Sequence, residues 1–161
     1  MGKTLKQVRR WLWFFVVILF SSGLTAIPAQ TELEFLQKFF SRDNAMENWL
    51  NKVLQGIFVT ENNFPFLFYG YDWLAFAHFV LAILFVGAIK NPVRNKWIIE
   101  FGIICCLLII PFAMISGYYR GIPIGWRLID CCFGIFGLMP LLICYKKIQQ
   151  IELLNHSQQQ I

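Results

Sequence analysis

His78 and Asp130 each stand inside a run that is otherwise apolar, WLAFAHFVLAILFVGAI and LIDCCFGIFG. A histidine can take a proton as general base when a carboxylate orients its ring, so the catalytic candidates are His78 as base and Asp130 as its partner. Arg120 and Arg127 lie close by in the chain. Their planar guanidinium groups suit phosphate, and with Asp130, His78 and Asp72 they form a binding set for an anionic lipid headgroup. A third reading is structural: a carboxylate neutralised by Arg127 or Arg120 and a satisfied histidine can pin helix register. No evident nucleophile, metal set or second base accompanies the pair. Pinning and binding therefore rank ahead of catalysis, and a non-enzymatic protein is expected.

The spacing says which of these residues can meet. At about 100° per residue, Arg127, Asp130, Gly134 and Gly137 share one strip of a helix. Ala75, His78 and Ala82 form a comparable strip of small residues, whereas Asp72 lies about 240° round from His78. Counted at about 1.5 Å per residue from Trp73 and Trp126, His78 and Asp130 sit at matched depth. The two strips are expected to face each other, because small residues let helices approach closely. A weaker site is excluded by similar counting. Cys105–Cys106 and Cys131–Cys132 are adjacent pairs whose thiols diverge, so neither presents two ligands to one ion as a CxxC does. Together with Cys144 they read as small apolar side chains, and no metal or cofactor is expected.

The elements that carry these residues follow from composition. The chain is 58% hydrophobic and 14% charged, with a mean hydropathy of +0.58, outside the range of ordinary soluble domains. Its apolar residues fall in four blocks, 11–27, 73–89, 97–116 and 128–145, whose only charged or histidine residues are His78, Glu100 and Asp130. A bilayer core takes about 17–25 helical residues to cross, and lipid leaves no water to satisfy a bare backbone. Each block is therefore a spanning helix, and the fold class is an all-α integral membrane four-helix bundle forming a single domain. Glu100 is expected to pair with Lys96 one turn away.

Charge gives the threading. Nine of the 14 Lys and Arg residues fall on one side: Lys3, Lys6, Arg9 and Arg10, then Lys90, Arg94 and Lys96, then Lys146 and Lys147. The segment between the first two blocks is acidic, with Glu32, Glu34, Asp43, Glu47 and Glu61. The positive-inside rule puts both termini in the cytoplasm. The net charge of +5 is thus a topology signal that anionic lipids would reinforce, and nucleic acid is not an expected partner. Membrane lipids are, together with a protein partner or a second copy of the chain. The N-terminal block also resembles a signal peptide. Its cleavage region GLTAIPAQ has Ile27 where a small residue is needed, so retention is expected.

The outer segment, residues 31–60, is more than a linker. Met46, Trp49, Leu50, Val53, Leu54, Ile57 and Phe58 recur with helical spacing and make one apolar stripe. A shorter turn with Leu33, Leu36 and Phe40 precedes it, capped by Thr31 and divided from it by SRDN. Such a segment lies in the membrane interface, caps the bundle or receives a partner. Asp72 is expected to cap the second span. NPVRNK and GYYRGIPIGW read as tight turns, Pro111 and Pro140 as kinks, and the polar tail KKIQQIELLNHSQQQI as a fraying end.

YGYDWLAFAH, KNPVRNKWIIEFG and RGIPIGWRLIDCCFGIFG resemble segments of a family of small bacterial four-helix membrane proteins. The resemblance covers about Phe64 to Lys147. It implies an inner-membrane location and transfers no activity. VanZ-like proteins are more weakly similar: Asp130 and Gly137 fit their pattern, Gly134 replaces its asparagine, and the Asp72–His78 spacing is too long. That reading is not carried over. The alternatives to a binding protein are a membrane-embedded enzyme acting on a lipid or envelope substrate at the outer leaflet, and an oligomeric transporter or channel subunit.

Overall fold

The computed structural model describes residues 2–27, 29–40 and 44–159. Among them the regular elements are all helical: α1 (Gly2–Ala26), α2 (Ala29–Phe40), α3 (Asn44–Asn63), a 3₁₀ turn (Pro65–Phe68), α4 (Tyr69–Lys90), α5 (Lys96–Tyr119) and α6 (Ile124–Gln159). Four helices are long and apolar enough to cross a membrane, over Gly2–Ala26, Pro65–Lys90, Lys96–Tyr119 and Ile124–Asn155. These contain the blocks read from the sequence, save Ile27 at the end of the first. The chain has the character of a multi-pass membrane protein. It divides into two compact units, Met1–Ile18 with Leu81–Ile161, and Leu19–Val80.

The first unit is a four-helix bundle made from the first part of α1, the last part of α4, and all of α5 and α6. Its core is Leu12, Phe15, Phe85, Ile99, Cys106, Leu141 and Cys144, each buried. Phe15 and Phe85 meet with ring centroids 4.7 Å apart. Near the basic end, Arg9 donates to the carbonyls of Ile89 at 3.2 Å and Lys90 at 3.1 Å, tying α1 to the last turn of α4. The short connection after α4 keeps Pro92 buried. Lipid tails are as apolar as leucine, so close packing must hold such helices together. The Gly134–Gly137 strip supplies it. A Cβ built on Gly134 would stand 2.6 Å from the Cys106 carbonyl oxygen, and one on Gly137 would stand 3.0 Å from the Cys106 Sγ. Gly134→Ala should therefore push α6 off α5, at a cost of about 1–3 kcal/mol measured by unfolding in micelles. An unchanged stability would show that the helices shift at no cost.

α6 is longer than its apolar block. The fraying expected of the tail does not occur up to Gln159, because the buried face continues past the block. Leu141, Cys144, Ile148 and Ile151 are all nearly inaccessible and follow one another at helical spacing. Polar contacts hold the same stretch: Lys147 donates to the Gln7 side chain at 2.7 Å and the Cys144 thiol lies 3.5 Å from the Val8 carbonyl. Lys96 also differs from expectation. Its Nζ pairs with Glu152 Oε2 at 2.8 Å rather than with Glu100. The extended α6 brings a carboxylate to it from 56 residues away, a partner that local spacing cannot reveal. α5 and α6 run through Pro111 and Pro140 without interruption.

The second unit holds the end of α1, α2, α3, the 3₁₀ turn and the start of α4. Of the stripe predicted on α3, Leu50 and Ile57 are buried, Met46, Trp49, Val53 and Leu54 are half-buried, and Phe58 is 61% exposed. α3 packs on α2 and on the 3₁₀ turn. Gln37 of α2 and Asn51 of α3 are joined by a side-chain hydrogen bond. Thr31 is not a cap, since α2 already begins at Ala29. The SRDN turn falls largely outside the described residues, at Ser41, Arg42 and Asp43, as do the side chains of Leu36 and Phe40. The end of α1 lies close on α4: a Cβ on Gly23 would come within 2.8 Å of the Phe79 ring and 2.9 Å of the His78 Cβ.

Candidate functional site

The turn between α5 and α6 fixes both arginines. Gly121 has φ +66°, a left-handed conformation open to glycine at little cost. The chain closes there with Ile122 N–H donating to the Gly117 carbonyl at 2.9 Å and Gly121 N–H to that of Tyr118 at 3.2 Å. These are the two bonds of a Schellman stop. Arg127 then reaches back over it. Its Nε donates to the Ile122 carbonyl at 2.8 Å, and its Nη1 lies 3.5 Å from the Met114 carbonyl. Gly117 makes room for the stem, since a Cβ there would stand 2.5 Å from Arg127 Cδ. Arg127 is thus half-buried and clasps the turn. Arg120, the first residue of the connection, is exposed, and its side chain has no hydrogen-bond or ion-pair partner among the described residues.

Asp130 lies one turn further along α6, half-buried. No ion pair joins it to Arg127 or Arg120 among the described residues, so the carboxylate neutralised by arginine is not what the structure contains. The helical strip it belongs to is taken by α5: Gly134 meets Cys106 and Ile109, and the neighbouring Cys131 is buried with its thiol 4.0 Å from the Ile110 carbonyl. His78 has different neighbours, in the other unit. Its Nδ1 lies 2.7 Å from the Leu74 carbonyl, one helical turn back. A carbonyl only accepts, so Nδ1 is the donor in this contact. The small strip around His78 receives Gly23 of α1. Each strip thus has a neighbour within its own unit. Periodicity gives the face of a helix, not the helix that covers it.

Asp72 also changes role. The helix begins earlier than expected, with Pro65–Phe68 leading straight into Tyr69, so Asp72 sits inside the first turn of α4 rather than at its cap. It can still favour the positive end of the helix dipole. It is exposed and has no hydrogen-bond or ion-pair partner among the described residues. Beside it is a groove of about 230 Å³ lined by Tyr69, Asp72, Trp73 and Phe76. Tyr69 and Trp73 stand edge to face with centroids 5.9 Å apart, and Trp73 and Phe76 do the same at 5.6 Å. The spacing i, i+3, i+4, i+7 was the signal that the four share one face.

The cysteines behave as expected of diverging neighbours. Cys106 and Cys131 are buried, Cys105 is intermediate and Cys132 exposed, and all five are free. Among the described residues no three His, Cys, Asp or Glu side chains gather closely enough to hold a metal ion. No family model, curated protein or solved structure matches the chain.

Proposed function

We propose that this is an inner-membrane protein of bacterial type, with both termini in the cytoplasm, that binds an anionic lipid headgroup at the α5–α6 turn and catalyses no reaction. The observation that carries the reading is the unequal state of the two arginines. Arg127 is held by two backbone carbonyls, while Arg120 is exposed and its guanidinium has no partner among the described residues. A rigid turn that carries one free guanidinium at the end of two apolar helices is suited to a phosphate in the headgroup layer. His78, with one nitrogen committed to its own helix, supports a structural role for itself. The basic flanks support the orientation, and the apolar stripe of α3 supports an outer segment lying in the interface. The likeness of the YGYDWLAFAH and RGIPIGWRLIDCC segments to small bacterial four-helix proteins supports the location.

Native mass spectrometry of the protein released gently from its own membrane tests this. The wild type should carry a discrete anionic lipid whose mass identifies it. Arg120→Ala should bind that lipid about tenfold less tightly or worse, the loss of a charge-assisted contact. Because the side chain is exposed, thermal stability without lipid should not change. A bare protein in both samples, or equal occupancy, would remove the proposal.

A further inference from the structure

α6 outlasts its own apolar block, and the excess is held by forces that the rest of the helix does not use. The helix runs to Gln159, whereas the block ends at Tyr145. Residues 146–159 add about 21 Å at 1.5 Å per residue, against about 5–8 Å for a headgroup layer. With Lys146, Lys147, Gln149, Gln150 and Glu152 in its first two turns, that stretch stands in water. We infer that it is a latch on the end of the bundle: a helical segment that docks on α1 and α5 and opens as a unit, with Lys96 as the catch.

Two kinds of contact close the latch. Ile148 and Ile151 are 0% and 2% exposed, and with Cys144 they continue one stripe at i, i+4 and i+7. Within the spans, lipid tails compete with buried leucines on equal terms. Past the membrane the competitor is water, so the hydrophobic effect drives the burial of these isoleucines. Lys96, the first residue of α5, supplies the second contact. Its ammonium lies 2.8 Å from Glu152 Oε2 and 5.0 Å from the centre of the Tyr145 ring. Tyr145 and Glu152 are two turns apart on one side of α6. One side chain therefore grips both the end of the apolar block and the part that projects beyond it. The pair is partly shielded, with side chains 22% and 33% exposed, so salt screens it less than a surface pair. Lys147 adds a bond to Gln7 of α1 at 2.7 Å. A segment with its own apolar contacts, its own ion pair and a different solvent is the kind of element that opens sub-globally. Opening uncovers Ile148 and Ile151 and frees Lys96 while the spans stay packed.

Amide hydrogen exchange of the full chain in micelles tests this, read separately over 147–158 and over 102–116. In the wild type 147–158 should be protected. Low urea should release it while 102–116 stays protected, because urea acts on surface that faces water. Glu152→Gln should speed exchange over 147–158 about two- to tenfold. Lys96→Gln should speed it somewhat more, since the ring contact is lost too. The double variant should match Lys96→Gln alone, as expected when each single change already breaks the same pair. Ile148→Ala should have a larger effect, about 30-fold or more, from lost burial and the cavity left behind. None of these changes should move 102–116. Exchange over 147–158 unaffected by both Glu152→Gln and Ile148→Ala would overturn the inference, as would a wild type without protection there. So would release of the two regions together, or a double variant whose effect is the product of the single ones.

Discussion

Truncating Leu141 to alanine should lower the unfolding free energy by about 2–3 kcal/mol, toward the low end of the range for buried Leu→Ala. Leu141 is fully buried. Its Cδ1 would stand 2.9 Å from a Cβ on Gly102, so it fills the space that the glycine leaves on α5. The estimate falls low for a physical reason. In a soluble core the penalty combines lost transfer from water with the cavity left behind. Inside a membrane the unfolded helices still sit in lipid as apolar as leucine, so the transfer part shrinks and the cavity part remains. The control is Phe136→Ala on the same helix, where the ring is 68% exposed. That change should stay within about 0.5 kcal/mol although it removes more atoms. Reversible unfolding in mixed micelles reads both. Similar losses at the two positions would mean that burial within the bundle does not govern stability.

The same contrast explains what was legible in the sequence. Apolar runs long enough to cross a bilayer have few structural solutions, so the four spans could be read directly. Their ends could not. α1 starts at Gly2 and α6 continues to Gln159, because Val8, Ile148 and Ile151 are core residues carried on helices whose other faces are polar. A hydropathy block records the lipid-facing and buried sides together and ends where one of them becomes charged. Faces were also legible: adjacent cysteines diverge, and α3 buries Leu50 and Ile57 as its stripe requires. Partners were not. Lys96 lies one turn from Glu100 yet bonds Glu152, and Gly134 was placed on a close-packing strip without any indication that Cys106 would occupy it. Of the site residues, Arg127 lies near the start of α6. Its acceptors are carbonyls, which every residue carries, and no pattern of side-chain types can point to them.

Arg127→Ala should destabilise the chain by about 2–3 kcal/mol, and the way that loss divides among variants says what the arginine does. The 2.8 Å bond to the Ile122 carbonyl is a good charge-assisted contact, worth about 1.5–3 kcal/mol, whereas the 3.5 Å approach to Met114 adds little. The stem contributes by packing on Gly117. Arg127→Leu keeps much of that packing and loses the donors. Arg127→Lys keeps the stem and a charge but has no fork to address a carbonyl while the rest of the group faces outward. If the residue is a clasp, stability without added lipid should order as arginine, then lysine, then leucine, then alanine. Arg120→Ala should leave that stability untouched while reducing anionic lipid binding. The two arginines would then separate cleanly: one fixes the turn and the other uses it. The opposite pattern, full stability in Arg127→Ala with loss of bound lipid, would make Arg127 a headgroup ligand. Its contacts with Ile122 and Met114 would then be a resting arrangement that lipid displaces.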